Sequence, residues 1–179
     1  FKCDWSSDVC SSDLETNMML HQSNISNSMW TKCNRSYFVK YRIEVWENEE
    51  LIFEEKINLE NQRVYIPIES KALGDTLAWI PYCEEFRKKH NCKLIVSCWN
   101  RDIFEMEYPE IQFVDAGTSV MDIKALYRIG WYYSEDGNTF NNIRHKDDFK
   151  KFSLQQTASD ILGIEFREIM PKLDPTITP

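Results

Sequence analysis

The chain has 179 residues, of which 42% are apolar and 13% aromatic, with only five glycines; this supports a packed core and excludes a disordered or collagen-like polymer. A formal net charge of −8 excludes the basic footprint that nucleic acid or an anionic membrane surface requires. No stretch approaches the roughly 20 apolar residues of a membrane span, and the start lacks the basic and apolar blocks of a signal peptide, so the chain reads as cytoplasmic.

Residues Phe1 to Leu14 contain a near-repeat of Ser-Ser-Asp with neither helical nor strand periodicity. The string resembles translated sequencing-adapter DNA and is set aside from the fold reading. Glu15 to Cys33, rich in Asn, Ser and Met, shows little order either, so residues 1–35 are expected to be disordered or artefactual. From Ser36 the pattern sharpens. Tyr37, Val39, Tyr41, Ile43 and Val45 alternate with Phe38, Lys40, Arg42, Glu44 and Trp46, the period of a half-buried strand. A turn at Asn48-Glu49-Glu50 and a second alternating run from Leu51 to Ile57 predict an antiparallel hairpin module over residues 36–62. A lone hairpin is marginal in water and needs a partner.

Arg63 to Ile66 reads as a short strand limited by Pro67. Leu77, Ile80, Cys83 and Phe86 then recur at spacings of three, which predicts an amphipathic helix over Thr76 to His90 that Pro81 bends or begins. Arg87-Lys88-Lys89 reads either as cations complementing the last turn of that helix or as an anion site, and His90-Asn91 as its stop. Lys93 to Cys98 is an apolar run of strand length, Arg101 to Glu107 a short helix and Ile111 to Val114 a third strand. This alternation is that of a parallel sheet with covered faces. Ala125 to Tyr133 reads as a further strand; its Trp131-Tyr132-Tyr133 cluster is either buried in the sheet or free to stack on sugar. Ser134 to Asp148 is a polar loop in which Asp147-Asp148 starts a helix. Ser153 then caps a helix that Gly163 closes. The α/β domain so predicted spans residues 63–170, and the proline-spaced tail at 171–179 reads as an interdomain linker.

The six cysteines show no C-x-x-C pairing and are expected to be free and mostly buried; the three histidines lack the spacing of a zinc site. Chemistry is better placed in the turn Ser70-Lys71-Ala72-Leu73-Gly74-Asp75-Thr76. In open α/β sheets, ligands bind at the carboxyl ends of strands, where a glycine lets substrate approach the backbone. An aspartate at a helix N-terminus is stabilised as its anion and can take a proton from an attacking alcohol, although the same field makes it a weak base. Capping preference alone reads Asp75 and Thr76 as an ordinary helix start.

The run from Ser70 to Pro81 resembles the N-terminal signature of glycosyltransferases that use ADP-heptose. With Glu84 to Lys93, Tyr108-Pro109-Glu110-Ile111, Ala125 to Trp131 and Leu154 to Gly163, the chain from Tyr37 onward resembles the autotransporter strand-loop-strand O-heptosyltransferase family. That resemblance implies a small N-terminal antiparallel β module followed by the N-terminal Rossmann-like lobe of a GT-B glycosyltransferase, with the C-terminal lobe missing. It implies heptose transfer from ADP-heptose to serine or threonine hydroxyls of an autotransporter adhesin passenger. Asp75 then becomes the catalytic base, with Lys71, Gly74, Thr76 and Trp79 as neighbouring substrate-binding candidates. No cofactor or metal is expected in this chain; an iron site and most donor contacts are expected in the missing half, so the chain alone should transfer nothing. A homo-oligomer is a possible assembly. A noncatalytic docking or oligomerisation module, and a transferase using another nucleotide sugar, stay open as alternatives.

Overall fold

The computed structural model describes residues 6–26 and 28–174, which form two compact units. The first unit takes the residues up to Arg35 together with Val39–Ile57. It is a four-stranded antiparallel sheet ordered β2-β1-β3-β4, built from β1 (Ser6–Asp13), β2 (Met19–Ser26), β3 (Tyr41–Glu47) and β4 (Glu50–Lys56). The expectation of no regular structure in residues 1–35 is therefore corrected at Ser6–Asp13 and Met19–Ser26; residues 1–5 lie outside the described residues. β1 pairs with β2 on one side and β3 on the other, so its backbone groups are satisfied by two ladders although its side chains carry no apolar alternation. The β3–β4 hairpin closes through Asn48 and Glu49, both at positive φ (48° and 68°), the left-handed pair that matches the twist of the flanking strands.

The second unit holds Ser36–Phe38 and the chain from Asn58 onward. Its parallel sheet contains β5 (Arg63–Pro67), β6 (Lys93–Cys98), β7 (Gln112–Asp115) and β8 (Ala125–Leu126), in the order β7-β6-β5-β8. From β5 the chain steps outward through β6 to β7, then returns to the other side of β5, where β8 pairs. The strand order thus reverses at β5, the arrangement that opens a crevice at the strands' carboxyl ends. Predicted as one strand to Tyr133, the segment after Ala125 is regular only to Leu126. Backbone bonds continue from Tyr127 N to Tyr65 O (3.1 Å) and from Ile129 N to Pro67 O (3.0 Å), and then the chain turns away.

Helix α1 (Leu73–His90) joins β5 to β6 and runs through Pro81 without a break. Its buried face is wider than the predicted stripe: Thr76, Trp79 to Cys83 and Phe86 are buried, while Leu77 is only half so. The reason is that α2 (Leu154–Leu162) packs on α1 as the sheet does. The predicted stops hold. Asn91 (φ 47°) ends α1 and Gly163 (φ 61°) ends α2 in the left-handed conformation, and the Ser153 hydroxyl accepts the Gln156 N–H at 3.3 Å. The short helix expected over Arg101 to Glu107 is a single 3-10 turn at Arg101–Ile103. Phe38 anchors its segment: its N–H donates to Ile161 O at 2.7 Å, and its ring lies 5.7 Å from Phe86 and 4.7 Å from His90. Residues 171–174, read as linker, are fastened by Lys172 N to Tyr108 Oη (2.9 Å) and Asp174 N to Ile103 O (3.2 Å); the tail beyond lies outside the described residues.

Candidate active site at the carboxyl end of β5

Beyond Pro67 the backbone stays tied to its neighbours for two residues: Ile68 N donates to Ser97 O (2.9 Å) and Glu69 N to Ile129 O (3.0 Å). The Ser70 hydroxyl then accepts the Ala72 N–H at 3.1 Å, turning the chain into α1. Ala72 is the N-cap, extended at φ −71°, ψ 127°, with no side-chain capping bond. Asp75 sits in the first helical turn without filling the capping role, so capping does not account for its carboxylate. The half-buried side chain accepts instead from Trp131, whose Nε1 lies 3.3 Å from Oδ2.

The other four residues singled out around the turn divide into two pairs. Lys71 and Gly74 are exposed; the Lys71 ammonium stands 4.7 Å from the Trp99 ring centroid, and a Cβ at Gly74 would meet nothing within 4 Å. Thr76 and Trp79 are fully buried. Thr76 Oγ1 donates back to Ala72 O at 3.4 Å, and Trp79 Nε1 donates to Leu154 O at 2.8 Å. In this geometry they hold the turn from beneath and present no surface to a ligand.

Beside the turn, the carboxyl ends of the parallel strands enclose a cleft of ≈ 420 Å³ whose lining includes Glu69, Ser97, Trp99, Thr118 and Arg128. Sequence reasoning missed these residues because they come from separate segments; only the general rule about strand ends pointed there. Arg128 Nη1 pairs with Glu69 Oε1 at 2.6 Å. Tyr65 Oη lies 2.8 Å from both Ser97 Oγ and Thr118 O; with one proton to give, it donates to the carbonyl and accepts from the serine. Asp75 is not among the lining residues.

The aromatic cluster after Gly130 packs outside the sheet. Trp131 lies between Trp79 (centroids 5.5 Å) and Phe149 (5.0 Å), and Tyr133 meets Phe149 edge-on at 5.2 Å. Burial, with the Glu69 charge next, pushes the Tyr132 phenol up. Behind them His145 is buried: its Nε2 accepts the Tyr132 N–H at 3.1 Å, and burial pushes its pKa down to about 4. Asp148 caps the 3-10 turn Phe149–Lys151, accepting from Lys150 N at 3.2 Å, so the acidic pair starts a turn of helix, as read.

No family model matches the chain. Among curated proteins it is 34% identical over 152 residues to the autotransporter heptosyltransferase TibC of Escherichia coli O78:H11, covering 81% of this chain and 36% of TibC. It is 30% identical over 168 residues to the autotransporter heptosyltransferase BAHTCr of Citrobacter rodentium, covering 90% of this chain and 39% of the relative. This chain belongs to the autotransporter heptosyltransferase family. Its fold agrees with a crystal structure of TibC, described as an iron-containing dodecameric glycosyltransferase, at a TM-score of 0.87 and 26% identity, over 99% of this chain and 46% of that one. A second TibC structure, in complex with ADP-D-beta-D-heptose, gives a TM-score of 0.85 at 26% identity over the same shares of the two chains. Membership alone does not decide activity: BimC of Burkholderia thailandensis, 26% identical over 92% of this chain and 38% of its own length, is named an inactive autotransporter heptosyltransferase. The chain spans less than half the length of these heptosyltransferase relatives.

Iron does not fit the described residues. Among the described residues no three His, Cys, Asp or Glu side chains come together as a metal site. The five described cysteines are free; Cys83, Cys92 and Cys98 are buried and Cys10 and Cys33 half-buried. Burial holds the Cys92 and Cys98 thiols up at about 11. No helix among the described residues is long and apolar enough to cross a membrane.

Proposed function

We propose that this chain supplies the acceptor-side lobe and the catalytic base of a protein O-heptosyltransferase, the parallel-sheet unit being the Rossmann-like N-terminal lobe of a GT-B architecture. The observation that carries the reading is Asp75: a half-exposed carboxylate at the carboxyl end of β5, free of a capping duty and oriented by an indole N–H. In the reaction, a serine or threonine hydroxyl oxygen of an autotransporter passenger attacks the anomeric carbon of ADP-heptose. The bond from that carbon to the diphosphate breaks, ADP leaves with the bonding pair, and the hydroxyl proton passes to the free oxygen of Asp75. A carboxylate at a helix start is a weak base, so its contribution comes from position and from proton transfer late in bond formation.

The adjoining cleft supports the same reading. Arg128, paired with Glu69, and the aromatic face of Trp99 line it, and the Lys71 ammonium of the same turn stands over the Trp99 ring. The remainder of the donor site and the iron are assigned to the part of the protein that its relatives possess beyond the matched region. The test uses the protein completed to the length of those relatives. Intact-mass analysis of a co-expressed passenger should show added heptose with the wild type and far less with Asp75→Asn or Asp75→Ala, while passenger binding persists. Undiminished modification by both variants would overturn the assignment in favour of a docking module. Transfer from a different nucleotide sugar alone would overturn the donor assignment.

A further inference from the structure

Trp131 lies where the chain leaves the ladder beside β5. Ile129 N is bonded to Pro67 O at 3.0 Å, and Gly130 passes so close that a Cβ there would stand 3.3 Å from the Tyr132 ring and 3.4 Å from Glu69 Cβ. The indole that follows is delivered to α1. Its Nε1 donates to Asp75 Oδ2 at 3.3 Å, and its ring is braced on both sides by groups that are themselves fixed. Trp79, on one side, is fully buried and tied by its own N–H to Leu154 O. Phe149, on the other, is buried and packed by His145 at 4.6 Å and Tyr133 at 5.2 Å. An exposed aspartate on a helix ordinarily samples several rotamers, and each lost rotamer carries an entropic charge at the moment of reaction. Here that ordering is built into the fold before substrate arrives.

We propose that Trp131 is the positioning residue of Asp75, an inference that rests on Asp75 being the base. An indole N–H donates and cannot accept. It therefore engages one carboxylate oxygen, leaves the other free for the acceptor hydroxyl, and keeps the proton off the engaged side. The indole touches neither reacting atom and acts through Asp75 alone. Trp131 is 37% exposed and Asp75 half-buried, so the pair remains open to an incoming hydroxyl.

The test is made in the protein completed to the length of its relatives, with ADP-heptose and a passenger acceptor. Trp131→Phe keeps a ring against Trp79 and Phe149 and removes only the donor. It should lower kcat about tenfold, the scale of one hydrogen bond to a charged group at a partly exposed site, and leave both KM values unchanged. Trp131→His, which restores a ring N–H, should recover part of the loss. In an Asp75→Asn background the Phe substitution should have no further effect, because the group it serves is gone. A kcat for Trp131→Phe within about twofold of wild type would overturn the positioning role while leaving the base intact. An equal loss in the Asp75→Asn background would show that the ring acts only as packing. Full activity of Asp75→Asn itself would remove the base reading, and this inference with it. Far-ultraviolet circular dichroism and urea denaturation check that Trp131→Phe keeps the fold; should it fail, Trp131→Met, which fills the gap between Trp79 and Phe149 without a ring N–H, takes its place in the same cycle.

Discussion

Two ionisable groups near α2 act on stability in opposite directions, and the structure sets the size of each. Burial pushes His145 from an ordinary 6.5 down to about 4; its Nε2 is spent as an acceptor for the Tyr132 N–H, a role the protonated ring cannot fill. Burial, then the charge of Asp147, pushes Asp160 from 3.8 up to about 6, against an opposing pull from Lys146. For His145 the unfolded chain binds the extra proton between pH 6.5 and 4, so its contribution to stability is complete at neutral pH and is lost as pH falls through that window. For Asp160 the folded chain binds the extra proton between pH 3.8 and 6, so its contribution is present in acid and is lost as pH rises through 6. Proton linkage makes the histidine term a loss of about 2 kcal/mol on going from pH 7 to 5, and the aspartate term a gain of about 1 kcal/mol. The wild type should therefore change by under about 1 kcal/mol over that interval. Asp160→Asn should expose the full histidine loss, about 2 kcal/mol, and His145→Gln should reverse the slope. Urea denaturation followed by circular dichroism at the two pH values reads all three. A Asp160→Asn variant as flat as the wild type would refute the reasoning.

Gly163→Ala should destabilise the parallel-sheet unit by about 2 kcal/mol, because the residue is at φ 61° and a Cβ would fall 2.5 Å from Phe38 Cδ1; urea denaturation checks it. That ring has little room to yield, being packed on Phe86, His90 and Tyr127. Ser153→Ala, which removes the α2 cap, should cost about 1 kcal/mol in the same assay. The fully buried Cys83 and Cys98 should resist iodoacetamide in the native chain and react on unfolding, whereas the half-buried Cys33 reacts before them; mass-spectrometric mapping of the adducts gives the order. The 179-residue chain by itself should show no heptosyl transfer, measured as ADP release in the presence of a passenger.

The parallel-sheet unit was legible because its signals are local. The apolar runs of β5 and β6, the Ser153 cap and the glycine and asparagine stops each lie within a few residues, and such features depend little on distant contacts. β1 was not legible, for Ser6 to Asp13 is held by backbone ladders on both sides, and those bonds leave no mark on residue type. The width of the buried face of α1 was hidden too, since it is set by α2 arriving from some seventy positions away, as the Trp79 bond to Leu154 shows. At the site, Gly74 and Asp75 stood out from the turn, but the partner of Asp75 lies 56 residues further on. Sequence places Trp131 in an aromatic cluster that stacks or is buried; its polar edge is what reaches the carboxylate. The cleft was invisible for a related reason, its lining being drawn from the ends of every strand in the sheet.

The base assignment is tested most directly by single-turnover heptosyl transfer from ADP-heptose to a passenger acceptor, comparing Asp75 with Asp75→Asn in the protein completed to the length of its relatives. The account predicts a fall in rate of about a hundredfold or more, the contribution of a positioned general base, with donor affinity unchanged. A variant that transfers heptose within about threefold of the wild-type rate would contradict it.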